Sequence, residues 1–379
     1  MCSNCKKRYV NADDCQYAPR VRTRTNLGKR KIASPPPKIR ALSVERSLSC
    51  QPLGLSDAQE RVLELRLFYE YTRSTCITRS PRAMIPLLCS PVWECDVPQI
   101  AFSSDIVLNA LLALTALHLH NINPDDQILG RASLTYLDRA VTKHQAALSR
   151  VDYGSAEPLL VAAVLIAHHT WLTAHSKDPG ERYAIDLRTY HMWNGIKALV
   201  QQSQPWLNKY EWPTPDYKSY QDENMVKKGF MDSAMQDVRL LSAEFNRQGV
   251  PLERQVLYNA AVKELIVLYL MIAVDSDIPS IEQAIVTYLH RVPEKFVSLL
   301  EIEDPIAMSL LARDLSMLSL FDDSPAWWLH GSGEHKVAIK SVLGIRGLLP
   351  PDLVWLMNWP VKVISKEIDL YSNGTEAGT

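Results

Sequence analysis

Glycine is scarce in this chain, with 14 among 379 residues, roughly half the usual share in soluble proteins. Glycine supplies the left-handed backbone of tight turns, so the shortage argues against a turn-rich β-sandwich or barrel. Apolar stretches long enough for a membrane are also missing, since a crossing helix needs about 20 consecutive apolar residues. The nearest, Ile106–Pro124, has no formal charge but holds Asn109, Thr115, His118, His120, Asn121 and Asn123. It reads as a buried core helix. Leu265–Val274 is too short, and no membrane span is expected. Cysteines and charges stand where the apolar centre of a secretory signal would be. Seven cysteines, an odd number, argue against a secreted disulfide framework. There is no phosphate loop, no dinucleotide fingerprint and no nucleophile elbow, Gly331-Ser332-Gly333 being too short for one. The chain is not expected to be an enzyme.

Charge is nearly balanced, at −1 overall, but it is unevenly placed. Residues 1–46 carry 12 Lys and Arg against 3 acids, so the remaining residues carry a net −10. A basic arm on an acidic body implies an anionic partner for the arm. From 18 to 54 the composition is Pro, Ser, Arg and Lys, including Ser34-Pro35-Pro36-Pro37, and this reads as a disordered linker. Within it Lys29, Arg30 and Lys31 form a basic patch that suits nuclear localisation or phosphate contact. A solvated charge run is the plainer alternative.

From residue 55 apolar residues recur at helical spacing, and the chain is expected to be all-α. Ser56 followed by Gln59 has the form of a capping box opening a helix that runs to Thr72. Further helices are expected over Ser103–His120, Asp125–Val151, Ala156–His175, Glu181–Gln202, Glu223–Gln248 and Leu252–Val274. Others follow over Ile281–His290, Glu294–Glu301, Pro305–Leu320 and Glu334–Leu343, with a short run at Trp355–Trp359. Several are apolar nearly all round, as helices inside a large bundle are. No fixed repeat length emerges.

Cys2 and Cys5 form a Cys-x-x-Cys, with Cys15 nine residues further on and Lys6, Lys7 and Arg8 between. Two thiolates at this spacing can share a zinc, and the neighbouring positive charge favours the thiolate form. A redox pair or two unremarkable thiols are the alternatives at this spacing. His168, His169 and His175 invite a metal reading, but no carboxylate stands between His168 and His175 at the spacing of a zinc protease. A core or helix-end histidine cluster is the better account. Asp275 and Asp277 flank a helix end, where turn formation is the expected role. Trp206, Tyr210, Trp212, Tyr217 and Tyr220 form one aromatic group, and Trp327, Trp328, Trp355 and Trp359 another. They suit either the wall of an apolar pocket or aromatic core packing.

The stretch Cys2-Ser3-Asn4-Cys5-Lys6-Lys7-Arg8 with Cys15-Gln16-Tyr17 resembles the second half of the fungal six-cysteine, two-zinc binuclear cluster. Pro91–Phe102 running into Leu108–Leu119 is similar to the start of the helical regulatory region in fungal regulators of the sterol uptake control type. So is Trp327-Trp328-Leu329-His330 followed by Trp359-Pro360. The resemblance implies a nuclear RNA polymerase II regulator that binds promoter DNA. It implies zinc held by Cys2, Cys5 and Cys15, and DNA phosphates touched by Lys6, Lys7 and Arg8. It also implies a homodimer, through a short coiled coil or through the helical region, and a sterol or other apolar ligand. The apolar spacing at Val62–Phe68 does not sustain the heptads of a long coiled coil.

The resulting division is a half-cluster over 1–17, a basic linker over 18–54, an all-helical regulatory domain over 55–365 and a tail over 366–379. The family's first half-cluster has no counterpart before Cys2 here, and three thiolates do not complete two tetrahedral zinc sites. The expectation is that upstream sequence encodes it. The alternative is a helical ligand- or partner-binding regulator deficient in DNA binding.

Overall fold

A computed structural model describes residues 53–76, 92–175, 183–203, 206, 225–245, 249–324, 326–331, 336–368 and 370. The chain divides into two units, Met1–Ala41 and Leu42–Thr379, and all described residues belong to the second. They are helical, with no strand among them, as the shortage of glycine predicts.

Helix α1 is Asp57–Glu70, closing in a π-helical turn at Tyr71–Thr75. Its capping box is formed: the Ser56 backbone N–H donates to Gln59 Oε1 at 2.9 Å, and the Gln59 N–H donates back to Ser56 Oγ at 3.4 Å. Leu63, Leu67 and Tyr71 turn inward, and the Tyr71 hydroxyl donates to the Trp93 carbonyl. Ser56→Ala is expected to cost about 1 kcal/mol, read as a lowered midpoint in urea. An unchanged midpoint would mean that α1 is fixed by its buried face alone.

A π turn at Val92–Asp96 leads into α2, Val97–Ala101, and then α3, Asp105–Ile122, and α4, Gln127–Ala147. Helix α5 is Ala156–His175 and α6 is Arg188–Ser203. Every residue of α3 from Asn109 to His118 is buried, and so is every residue of α5 from Leu159 to His169. Such helices need neighbours on all sides. α3 packs on α1, α4 and α5, and α5 packs on α3, α4 and α6. Gly130 lets α4 approach α3, because a Cβ there would lie 3.1 Å from His120 Nε2.

The second half holds α7 (Lys228–Phe245), α8 (Leu252–Ala273), α9 (Ile278–Val286), α10 (Tyr288–Arg291) and α11 (Glu294–Glu301). It continues with α12 (Pro305–Ser316), α13 (Trp327–His330), α14 (Val337–Leu348) and α15 (Asn358–Ile364). α12 lies at its centre against α8, α11, α14 and α15, while α13 and α14 also pack on α5. One continuous core of buried side chains results. Asp277 caps α9, and Asp304 caps α12 ahead of Pro305. Asp275 adopts a left-handed φ of 62° at the turn after α8. Both Asp275 and Asp277 therefore have the turn-forming role expected of them.

Three helices (α3, α5 and α8) are long and apolar enough to cross a membrane by length and composition, where counting apolar runs finds none. At least half of each such stretch is buried inside the bundle, so other helices cover much of the apolar surface. The boundaries differ from expectation where propensity and packing diverge. The helix expected over Ile281–His290 is broken at Thr287, whose hydroxyl donates to the Gln283 carbonyl while Arg291 bonds to it. The helix expected from Glu181 begins at Arg188, because Tyr183 runs across α14. A Cβ on Gly344 would fall 2.2 Å from the Tyr183 ring.

Candidate functional site

Cys2, Cys5, Cys15, Lys6, Lys7, Arg8, Lys29, Arg30 and Lys31, the residues read as metal-binding, phosphate-binding or nuclear-localising, lie outside the described residues. So do Tyr210, Trp212, Tyr217 and Tyr220. Among the described residues no group of three or more His, Cys, Asp or Glu is placed to hold a metal ion. Cys76 is buried, with its thiol donating to the Thr72 carbonyl at 3.2 Å, and Cys95 is exposed.

The late aromatic cluster is where chemistry-bearing side chains converge. α13 is only four residues long, and it inserts Trp327 and Trp328 against the first half of the bundle. Trp327 stacks on the His118 ring of α3 with centroids 4.2 Å apart, and Trp328 packs on the His168 ring of α5 at 4.1 Å. The Trp171 indole N–H donates to the Leu329 carbonyl at 3.0 Å. His330 Nε2 meets Glu282 Oε1 of α9 at 2.8 Å, both residues buried, and Ser324 also donates to that oxygen. The short Trp-Trp-Leu-His helix thus ties α3 and α5 to α9. Trp359 instead packs on Phe230 and Tyr269 in the second half of the core, with its indole N–H donating to Ser233. Of the four late tryptophans that the sequence leaves open between pocket wall and core, Trp328 and Trp359 are buried in packing, Trp327 is half-buried, and Trp355 is 37% exposed.

The histidines are structural in their contacts. His118 Nδ1 lies 2.9 Å from the Thr75 hydroxyl, and burial holds this ring down to about 4. His175 Nδ1 lies 2.8 Å from the Trp171 carbonyl, so the histidine of its own helix turn is satisfied locally. His169 Nε2 lies 2.6 Å from Ser133 Oγ, which is within the reach of a nucleophile and its base. Burial lowers His169 to about 4, whereas a general base works best near the operating pH. Neither residue is more than 2% exposed, so a substrate has no access. The pair is a buried hydrogen bond.

Several charged contacts escape sequence reading because their partners lie far apart in the chain. Arg313 of α12 makes a bidentate bond to Asp237 of α7, Nε to Oδ2 at 2.7 Å and Nη2 to Oδ1 at 2.9 Å. Arg291 pairs with Glu264 at 2.9 Å. Asp304 does more than cap α12, for it accepts from the Tyr258 hydroxyl at 2.9 Å and from Arg254 at 3.0 Å. Only its capping role has a local sequence signal, an Asp immediately before Pro305.

Comparison with known proteins places this scaffold. A family model described as "Fungal specific transcription factor domain" matches residues 69–177, from the end of α1 through α5 to just past it. A Zn(2)-C6 fungal-type transcription factor of Gibberella zeae is 26% identical over 345 residues, covering 81% of this chain and 63% of that protein. The Zn(2)-C6 fungal-type transcription factor afumD of Aspergillus fumigatus is 26% identical over 179 residues, covering 46% of this chain and 47% of that protein. The chain spans less than two thirds of the length of either relative. The similarity is to transcription factors, in line with the absence of enzyme motifs in the sequence.

Proposed function

We propose that this chain is the regulatory part of a fungal zinc-cluster transcription regulator, acting in the nucleus on RNA polymerase II promoters. The observation that carries the reading is the match of the fungal transcription factor domain to residues 69–177, the stretch that builds the tightly packed α3–α5 layer. The chain's similarity to two Zn(2)-C6 transcription factors supports it. In this reading residues 55–365 are the regulatory domain, residues 18–54 the basic linker and residues 1–17 part of the zinc cluster.

Cys2, Cys5 and Cys15 are proposed as three of the six thiolates that such a cluster takes. Their sulfurs suit zinc chemically, being soft thiolates beside Lys6, Lys7 and Arg8. The same basic residues would lie against DNA phosphates, which position a protein without specifying sequence. Lys29, Arg30 and Lys31 are the proposed nuclear address. A role in sterol or lipid metabolism, with an apolar ligand held by the helical domain, rests on the likeness of Pro91–Phe102 with Leu108–Leu119, and of Trp327–His330 with Trp359-Pro360, to sterol uptake regulators. That part of the proposal is separable from the rest.

The test is duplex binding by mobility shift at graded salt, together with zinc content. Affinity is expected to fall with rising salt, and replacing Lys6, Lys7 and Arg8 by Ala should flatten the log–log slope by about 2–3. Cys2→Ser and Cys5→Ser should lower bound zinc. DNA affinity that is absent, or indifferent to salt, would overturn the DNA-binding reading and leave a helical regulator that acts through partners.

A further inference from the structure

Helix α1 has two faces, and only one is used by the fold. Leu63, Leu67 and Tyr71 face the core. On the opposite side Val62, Leu65 and Tyr69 recur at a 3-4 spacing and are 67%, 72% and 59% exposed. Residues at this spacing form one ridge along a helix. The ridge is widened by Phe68, whose ring lies 5.0 Å from that of Phe102, and Phe102 is itself 79% exposed.

The charges beside this ridge have one sign. At 100° per residue Arg61 falls on one flank and Arg66 on the other, both exposed. Neither has an ion-pair partner among the described residues. The four acids of α1 lie farther round the helix than the two arginines: Glu60 pairs with Arg139 of α4 at 2.6 Å, Glu70 is held by Arg73 at 3.4 Å, Glu64 lies near Tyr136 of α4, and Asp57 stands one turn before Arg61 at the helix start.

We propose that this face docks an acidic amphipathic helix of a partner protein, its apolar side chains on Val62, Leu65 and Tyr69 and its carboxylates on Arg61 and Arg66. The arginines select this occupant. A second copy of α1 laid on the ridge would bring arginine against arginine. Nucleic acid would use the arginines and leave the ridge wet. A membrane surface would have only a few apolar side chains to bury, less than stable interfacial attachment takes. Helix-on-helix docking uses anchors at this spacing, and guanidinium groups pair carboxylates well. The inference does not rest on the proposed function, because it is read in peptide binding rather than in DNA binding.

The experiment uses the full chain and a fluorescent 16-residue peptide with Leu or Phe at i, i+3, i+4 and i+7 and Glu at most other positions. A scrambled peptide of equal charge controls for the basic arm. Saturable binding of the patterned peptide is expected by anisotropy, with at least about tenfold weaker binding of the scramble. Leu65→Asp, and separately Arg61→Glu with Arg66→Glu, should each weaken binding about tenfold. These positions are exposed, so the thermal midpoint should stay unchanged, and circular dichroism checks this. Hydrogen exchange should slow in residues 57–70 when the peptide is bound. Equal binding of the scramble, no effect of either variant, or no binding at all would overturn the proposal. So would self-association, or adhesion to anionic vesicles or duplex DNA, that Leu65→Asp abolishes while the peptide fails to bind.

Discussion

Asp237→Ala is expected to destabilise the fold by about 3–5 kcal/mol, a large part of the 5–15 kcal/mol typical of a domain. Arg313 is 1% exposed and sits on the central helix α12. Its guanidinium donates twice to Asp237 and once, through Nη1, to the Ser309 carbonyl at 2.9 Å. A guanidinium does not shed its charge in a protein, so without the carboxylate it stays buried and uncompensated. The converse change should cost less. Asp237 is 12% exposed on its side chain, and Arg313→Met leaves a carboxylate at the edge of water beside a side chain that fills the space. Replacing both, with Asp237→Leu and Arg313→Met, should recover most of the loss, because the desolvation cost of the pair disappears with the pair. Urea unfolding of the three variants measures this. A loss under 1 kcal/mol for Asp237→Ala would mean that water reaches Arg313 and that α7 and α12 are joined by apolar packing alone.

That pair also marks where sequence reading stops. Asp237 and Arg313 are 76 residues apart, and nothing local to either names the other. Local signals fare differently. Ser56 and Gln59 announce the start of α1, and the apolar run Leu159–Ala167 announces α5, whose bounds Ala156–His175 agree with expectation. Asp before Pro announces α12 at residue 305. The misses have tertiary causes. α13 is too short to show periodicity, and it is held by His118, His168, Trp171 and Glu282, all of which come earlier in the chain. Val97–Ala101 contains Pro98, which reads as a break but stands at the first turn, where a missing N–H costs nothing. Pro305–Leu320 is one helix by pattern, yet it tightens to a 3-10 turn at Met317–Phe321. There the Ser319 hydroxyl bonds back to the Ser316 carbonyl.

The candidate site divides in the same way. The Trp327–His330 stretch is visible in sequence as an aromatic cluster, but its meaning depends on what it touches. Ring contact with two buried histidines, stacked at His118 and tilted at His168, makes it a brace between the halves of the core, a role that spacing alone does not separate from a ligand wall. His168 and His169 are buried and His175 ends α5 half-buried, a core and helix-end cluster of the kind the sequence favours, since His168 and His175 lack the carboxylate that zinc chemistry would place between them.

Those histidines set the second large expectation, a steep loss of stability in mild acid. Burial holds His118, His169 and His290 down to about 4, and it also lowers His144 and His175. At His290 the charges of Lys197 and Arg291 add to the effect. An unfolded histidine titrates near 6.5, so below that pH the unfolded chain takes up protons that the folded chain refuses. The stabilising contribution is therefore complete above about pH 6.5 and is lost as the pH falls towards 4. One group works against the trend. Asp314 is buried, and desolvation raises its carboxyl well above the usual range. The folded state keeps a proton there that the unfolded state releases, which offsets one histidine. A net excess of about two to four protons on the unfolded chain gives a slope near 3–5 kcal/mol per pH unit. Against a total of about 5–15 kcal/mol, the chain should lose its fold between about pH 4 and pH 5.5. Urea midpoints at pH 7, 6 and 5 test this. His290→Gln is the informative variant, because His290 lies at the rim of the bundle, bonding Asn194 and stacking on Tyr190, where glutamine keeps a polar contact. It should reduce the slope by about 1.4 kcal/mol per pH unit. A stability profile that stays level from pH 7 to 5 would show that the rings are already charged in the folded state, with water among α3, α5 and α13.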